Sequence, residues 1–194
     1  HIHALYAAEP VVIDKDLTSK NIGLNIEYIE DKDRKLAFDD IKRETKWRTF
    51  EKEYISFGYT YSQFWFRFRI RNTMDHPADF LMELDYPPLD LIELHIPDKN
   101  GSYTKKITGD HFPFSSRDMD DRNYIFKIHQ EPGEKTYYMR VNSRSATNFN
   151  VSVMSHDGYL KQTKYELSMY WFYYGLMTVI IVYNRDLACT AGIL

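Results

Sequence analysis

Only one cysteine occurs in the 194 residues, Cys189, near the C-terminal end, so no internal disulfide can hold this chain together. That neither requires nor excludes a home outside the cytoplasm. A dominant charge is lacking as well. The formal net charge of -3 offers no general attraction to nucleic acid, and DNA and RNA are set aside as partners. Enzyme signatures are missing: there is no glycine-rich phosphate loop, no His-Glu-x-x-His, no Gly-x-Ser-x-Gly and no paired-cysteine metal site. The histidines, at 1, 3, 76, 95, 111, 129 and 156, are dispersed, so no metal ligands are assigned. Asp110-His111 is an acid–base pair without a positioned partner, so no catalytic residue and no cofactor is expected. Tandem repeats and low-complexity segments are absent too.

Aromatic side chains are plentiful: they make up 16% of the residues, with 16 Tyr and 12 Phe, which suits a strand-rich architecture. The stretch that organises the chain is Tyr61 to Asn72, Tyr-Ser-Gln-Phe-Trp-Phe-Arg-Phe-Arg-Ile-Arg-Asn. Side chains alternate faces along a strand, so Phe64, Phe66, Phe68 and Ile70 point one way while Trp65, Arg67, Arg69 and Arg71 point the other. Helical spacing would scatter these groups around a cylinder. The spacing predicts a half-buried strand with an apolar core face and a cationic face carrying one large aromatic.

Shorter strands are expected on both sides. Val11 to Ile13 reads as a first one, and Ile22, Leu24, Ile26 and Tyr28 as a better one. Residues 36–41, with apolar groups at Leu36, Phe38 and Ile41, fit either a short strand or one helical turn. Trp47 and Phe50 are expected to anchor a covering segment before a strand from Tyr54 to Phe57. Beyond the central strand, residues 79–86 alternate with Phe80, Met82, Leu84 and Tyr86 on one face. Residues 89–96 and 103–107 flank an Asn100-Gly101 hairpin turn. Residues 123–129 and 135–142 are read as a second hairpin, and 148–155 closes the set. Many short strands with turns at close intervals predict an all-β antiparallel sandwich or jelly roll over residues 20–156. The expected core comprises Phe66, Phe68, Ile70, Met82, Leu84, Ile92, Leu94, Phe126, Ile128, Val141, Val151 and Val153. Strands 64–72 and 79–86 are expected to pair as a hairpin, placing Phe68 opposite Leu84 and Arg67 opposite Asp85.

From residue 157 the pattern becomes helical, and residues 169–183 carry no charge. Fifteen residues rise ~22 Å as a helix, short of the ~30 Å hydrocarbon core. The aromatic start and aliphatic continuation fit the entry of a membrane helix cut short, with residues 185–194 as a foreign tail. Residues 1–19 read as an N-terminal arm, part signal-peptide remnant and part cloning residue.

Several motifs together resemble one bacterial family. They are Tyr-Ser-Gln-Phe-Trp-Phe-Arg-Phe at 61–68, Asp85-Tyr-Pro-Pro-Leu-Asp90, and Pro113-Phe-Ser-Ser-Arg117 with Arg122-Asn123. Leu24-Asn-Ile-Glu-Tyr-Ile-Glu-Asp31 and the closing Tyr173-Tyr-Gly-Leu-Met with Tyr183-Asn184 complete the set. The chain is similar, over roughly residues 20–184, to the type-two extracellular domain of bacterial seven-transmembrane receptors with diverse intracellular signalling modules. That resemblance implies a periplasmic or otherwise extracytoplasmic sensor domain with a jelly-roll-like β-sandwich resembling carbohydrate-binding modules. A C-terminal helix would lead to a span anchored in the inner membrane, followed by a cytoplasmic output module.

The outward face of the central strand is the candidate ligand surface. Trp65, Arg67 and Arg69 would share it with Tyr138, Arg140 and Asn142 from one later strand, and Asn148 and Asn150 from another. An aromatic plane with fixed amide and guanidinium groups is what recognition of a carbohydrate or another small polar molecule needs. The competing reading is an ordinary solvated sheet face whose arginines pair with Glu83 and Asp85. At the level of function the alternatives are a ligand sensor and a structural module that dimerises or contacts a protein partner.

Overall fold

The computed structural model describes residues 8–190, with side chains through Asp186. His1, His3 and the rest of the first seven residues of the expected arm, and residues 191–194 of the expected tail, lie outside the described residues. In chain order the strands are β1 (Val11–Ile13), β2 (Ser19–Asn21), β3 (Ile26–Asp31), β4 (Arg48–Thr49), β5 (Ile55–Tyr59), β6 (Gln63–Asn72) and β7 (Ala78–Leu84). They continue with β8 (Leu91–Pro97), β9 (Tyr103–Thr108), β10 (Tyr124–Gln130), β11 (Gly133–Asn142), β12 (Ala146–Phe149) and β13 (Val151–Met154). Helix α1 (Phe38–Arg43) lies between β3 and β4, and α2 (His156–Thr190) follows β13. The chain divides into two units, meeting between His156 and Asp157.

The first unit is a sandwich. Its larger sheet has the order β4-β3-β6-β11-β8-β9, with β1 added in parallel beside β6. The smaller has the order β10-β7-β13-β2, and β5 pairs with β12 apart from both. Every pairing except that of β1 is antiparallel. The fold is therefore the all-β sandwich expected from the alternation.

Between the sheets, β6 contributes Phe64, Phe66, Phe68 and Ile70 to one continuous apolar cluster. Its neighbours supply Tyr137, Met139 and Val141 from β11, and Ile92 and Leu94 from β8. The opposite sheet supplies Phe80, Met82, Leu84, Phe126, Ile128, Val151 and Val153. All the expected core positions are in this cluster. Phe68 lies beside Tyr137 in the register, with the rings stacked at 5.5 Å and 5°.

Two pairings differ from expectation. Strands β6 and β7 do not form a hairpin, because they belong to different sheets. Nor do β10 and β11: β10 pairs with β7, and β11 lies between β6 and β8. Both short connections turn the chain from one sheet to the other at the same end of the strands. Buried amides satisfy the backbone groups released there. The Asn72 Nδ2 donates to the carbonyls of His76 and Gln130, at 2.9 and 3.1 Å. The Gln130 Nε2 donates to the carbonyls of Ile70 and Gly133, and its Oε1 accepts from the Tyr137 hydroxyl at 2.8 Å. Unpaired backbone at a buried corner would cost about as much as a lost hydrogen bond per group, and this network avoids that cost. The Asn100-Gly101 hairpin does form between β8 and β9, with Gly101 at φ 79°, a conformation that favours glycine.

Because β7 is elsewhere, the β6 arginines find other carboxylates. Arg67 binds Glu27 on β3, through Nε at 2.8 Å and Nη2 at 2.7 Å. Arg69 and Arg71 share Glu134 on β11. The expected partners are otherwise engaged: Glu83 accepts from Asn123 Nδ2, and Asp85 accepts from the backbone and side-chain amides of Asn150.

In the second unit, α2 continues through residues 185–190, part of the segment read from the sequence as a foreign tail. Taken by itself, it exposes Trp171, Phe172, Tyr173, Val179, Ile181 and Tyr183 on several sides. Among the described residues, no helix is long and apolar enough to cross a membrane.

Candidate functional site

The outward face of the larger sheet is assembled by register. Trp65 on β6 lies opposite Ile29 on β3 and Arg140 on β11, and Arg140 lies opposite Glu93 on β8. One row away, Glu27, Arg67, Tyr138, His95 and Lys105 succeed each other across β3, β6, β11, β8 and β9. Trp65, Arg67, Tyr138 and Arg140 are thus brought together as expected. Asn142 stands at the end of the same face, opposite Leu91. Arg69 is at the other end, donating to Glu134 and to the carbonyl of Ala8. Asn148 is not part of the face: on β12, its Oδ1 accepts from Ser56 Oγ and the Gly58 amide. Asn150 is also elsewhere, bonded to Asp85 and Asn21.

The centre of the face is not open to water, which corrects the expectation that Trp65 offers a free aromatic plane. Residues 32–47 fold over it as a flap, and Trp65 retains 1% of its exposure. Ile41, Trp47, Trp65 and Tyr138 form a second small core, with Ile29, Leu36, Phe38 and Tyr103 packed around it. Leu36, Phe38 and Ile41 therefore have the spacing of the helical turn, not of a strand. Their apolar groups face the sheet, while Asp39, Asp40, Lys42 and Arg43 complement the two ends of α1. Trp47 and Phe50 do anchor a covering segment, though on opposite faces. Trp47 meets the outer face, and Phe50 stacks on Tyr28 at 4.5 Å among the partly buried rings beside the main core.

The flap touches the sheet chiefly through rings. Phe38 stacks on His95 at 3.8 Å and 10°, and lies edge-on to Tyr103 and Tyr138. The Arg67 guanidinium sits over Trp47 at 4.4 Å, and that of Arg140 over Trp65 at 5.5 Å. The two ends of the segment are pinned by hydrogen bonds. Asp31 accepts from the amides of Lys35 and Leu36, and Trp47 Nε1 donates to the Glu44 carbonyl.

Beneath the flap is a buried charge cluster that sequence reasoning missed. Glu93 is 4% exposed, and its carboxylate meets Arg140 Nη2 and lies 3.8 Å from Lys105 Nζ. The His95 Nε2 approaches Glu93 Oε1 at 2.8 Å, too obliquely for a well-formed hydrogen bond. Burial would push the Glu93 carboxyl up, but His95, Arg140 and Lys105 together outweigh it and hold the group below its ordinary value. Burial pushes the Tyr103 and Tyr138 hydroxyls up. The signal for Glu93 and His95 was present: between Ile92, Leu94 and Ile96 they occupy the outward positions of a strand.

Three more buried polar atoms on this face have no hydrogen-bond partner in the protein: Trp65 Nε1, Arg140 Nε and Asn142 Oδ1. Elsewhere, a shallow hollow of ≈ 340 Å³ is lined by Asp79, Phe80, Lys127, Ile128, His129 and His156. Among the described residues, no three His, Cys, Asp or Glu side chains are grouped to hold a metal ion.

Residues 23–155 match the model of the family described as 7TMR-DISM extracellular 2. No curated protein matches. A solved structure concerned with the promiscuous specificity of carbohydrate-binding modules of the β-sandwich superfamily matches at 10% identity, over 71% of this chain. The match spans 55% of that chain, with a TM-score of 0.24. A superposition that loose says nothing about this chain's ligand.

Proposed function

Because the chain belongs to the family of second extracellular domains of the seven-transmembrane receptors with diverse intracellular signalling modules, we propose that it senses a carbohydrate or another small polar ligand. The event would then pass to a receptor domain in the inner membrane. The role is recognition without catalysis, and the ligand surface is the outer face of the larger sheet, reached when the flap lifts. The observation that carries this reading is the set of buried polar atoms left without partners on a face whose centre is covered by a flap held mainly by rings. Each such atom costs about 1–3 kcal/mol, which offsets part of what the ring contacts contribute to closure. A ligand that supplies the missing partners would favour the open arrangement, and differential affinity of that kind is what lets binding shift a conformational equilibrium.

Thermal unfolding in a panel of sugars and small polar metabolites tests the proposal. A ligand at a hundred times its Kd should stabilise the chain by about 2.7 kcal/mol, or a Tm rise of roughly 5–10 °C for a domain of this size. A panel without any such rise would remove the support for a small-molecule sensor.

A second reading, a module for dimerisation or protein contact, is favoured by one observation: α2 presents apolar side chains on several sides. On that reading the full chain self-associates in sedimentation, and a chain ending at Ser155 is monomeric. Equal self-association of both would separate association from the helix.

A further inference from the structure

We infer that Trp65 Nε1, Arg140 Nε and Asn142 Oδ1 form a hydroxyl-recognising subsite for an uncharged polyol; this rests on the ligand-sensing function proposed above and names its chemistry. Trp65 and Arg140 are directly opposed in the β6–β11 register, and Asn142 is two residues along β11 on the same face. All three atoms are buried and none has a partner in the protein. The indole carrying the first is almost wholly enclosed.

The inventory is two N–H donors and one carbonyl acceptor. A hydroxyl group matches it, because its oxygen accepts from both donors while its hydrogen is given to Asn142 Oδ1. A carboxylate has no hydrogen for Asn142, and a carboxylate or a phosphate would bring negative charge to a face that already buries Glu93 and Glu27. An ammonium group has no acceptor for either N–H. The nearby carboxylates are also spoken for: Glu93 by Arg140 Nη2, Lys105 and His95, and Glu27 by Arg67. A neutral ligand leaves those pairs intact, whereas a charged one must compete with them. The tyrosine hydroxyl of Tyr138 lies in the next row of the same face and is available to a further ligand hydroxyl once Phe38 withdraws.

The test follows the indole N–H resonances of the 15N-labelled 194-residue chain. Trp65 is assigned by loss of its signal in Trp65→Phe, which keeps an aromatic ring but removes the N–H donor together with part of the indole's bulk. The chain is titrated with D-xylose, D-glucose, glycerol and sodium D-glucuronate. The expected result is a saturable shift of the Trp65 indole with a neutral sugar and none with glucuronate. Affinity should fall at least tenfold in Trp65→Phe and in Asn142→Leu, the second variant standing in if the first does not fold. If the indole responds to no probe and shows only an exchange contact with water, the atoms hold a bound water only and the subsite is overturned. A response to glucuronate as strong as to glucose overturns the uncharged class. Should a sugar raise Tm while the Trp65 resonance stays still, the sensing function stands and the subsite falls. Silence in both measurements ends both.

Discussion

Replacing Phe68 with alanine should lower the unfolding free energy by about 3–5 kcal/mol, a large share of the 5–15 kcal/mol that holds a typical domain together. The ring is 1% exposed at the middle of the central strand, so the atoms removed leave a void that the surroundings cannot fill. Tyr137 lies flat against it on β11, and Ile26 lies opposite it on β3. Both neighbours are held in place by ladder pairing on two sides of β6. Tyr137 is further fixed by its hydroxyl bond to Gln130. Collapse is therefore restricted, and the cost should fall in the upper part of the range for aromatic truncation. Urea denaturation would measure it. A change below about 1 kcal/mol would mean that the two-sided packing of β6 is wrong.

The second large effect is expected at Glu93. Glu93→Gln leaves Arg140, Lys105 and His95 beside a neutral amide under the flap. Removing one member of a buried charge group costs about 3–5 kcal/mol; the partial exposure of Arg140 and Lys105 puts the expectation at the low end, about 3 kcal/mol. The pH dependence carries a separate sign. The folded carboxyl is held below its ordinary value of 4.5, so the native state binds fewer protons than the unfolded one in that region. The stabilisation is then fully present above pH 4.5 and is lost as the pH falls through the depressed value. Wild type and Glu93→Gln should differ most near neutrality and converge on acidification. A difference that stays constant from neutrality into strong acid would show that the carboxylate charge is not what the cluster depends on.

Which side chains face the core was legible in the sequence, because a period of two survives wherever one face of a strand is buried. Phe64 to Ile70 on β6 and Phe80 to Leu84 on β7 show it plainly. Which strand lies beside which was not legible. Alternation is the same whether β7 pairs next to β6 or faces it from the other sheet, and a five-residue connection permits both. The Asn100-Gly101 hairpin was readable because its turn requires left-handed backbone, a local demand visible in residue type. For the candidate site, alternation put Trp65 and Arg67 on one face of β6 and Tyr138 and Arg140 on one face of β11, but neither the adjacency of those two strands nor the covering of their face could be read from it. Phe38, Ile41 and Trp47 come from a separate segment, and three apolar residues spaced over one turn do not reveal which surface they will cap. Asn148 was misplaced for a simpler reason: it lies on β12, a strand separate from β13 that pairs with β5 apart from both large sheets.

The cationic face of β6 has one more consequence, which concerns the chain before it folds. Residue Phe68 finds Tyr137 and Ile26 as strand neighbours, partners far away in sequence on either side. Sheets built from such remote pairings assemble slowly, over milliseconds to seconds. A chain emerging N-terminus first would present Phe64, Phe66, Phe68 and Ile70 well before β11 arrives to cover their edge. A short run of aromatics with strong strand preference is the kind of segment that stacks on copies of itself. Arg67, Arg69 and Arg71, at alternate positions in that run, place like charges in register against any such copy. Each arginine that later finds Glu27 or Glu134 thus serves first as a gatekeeper against aggregation of the nascent strand.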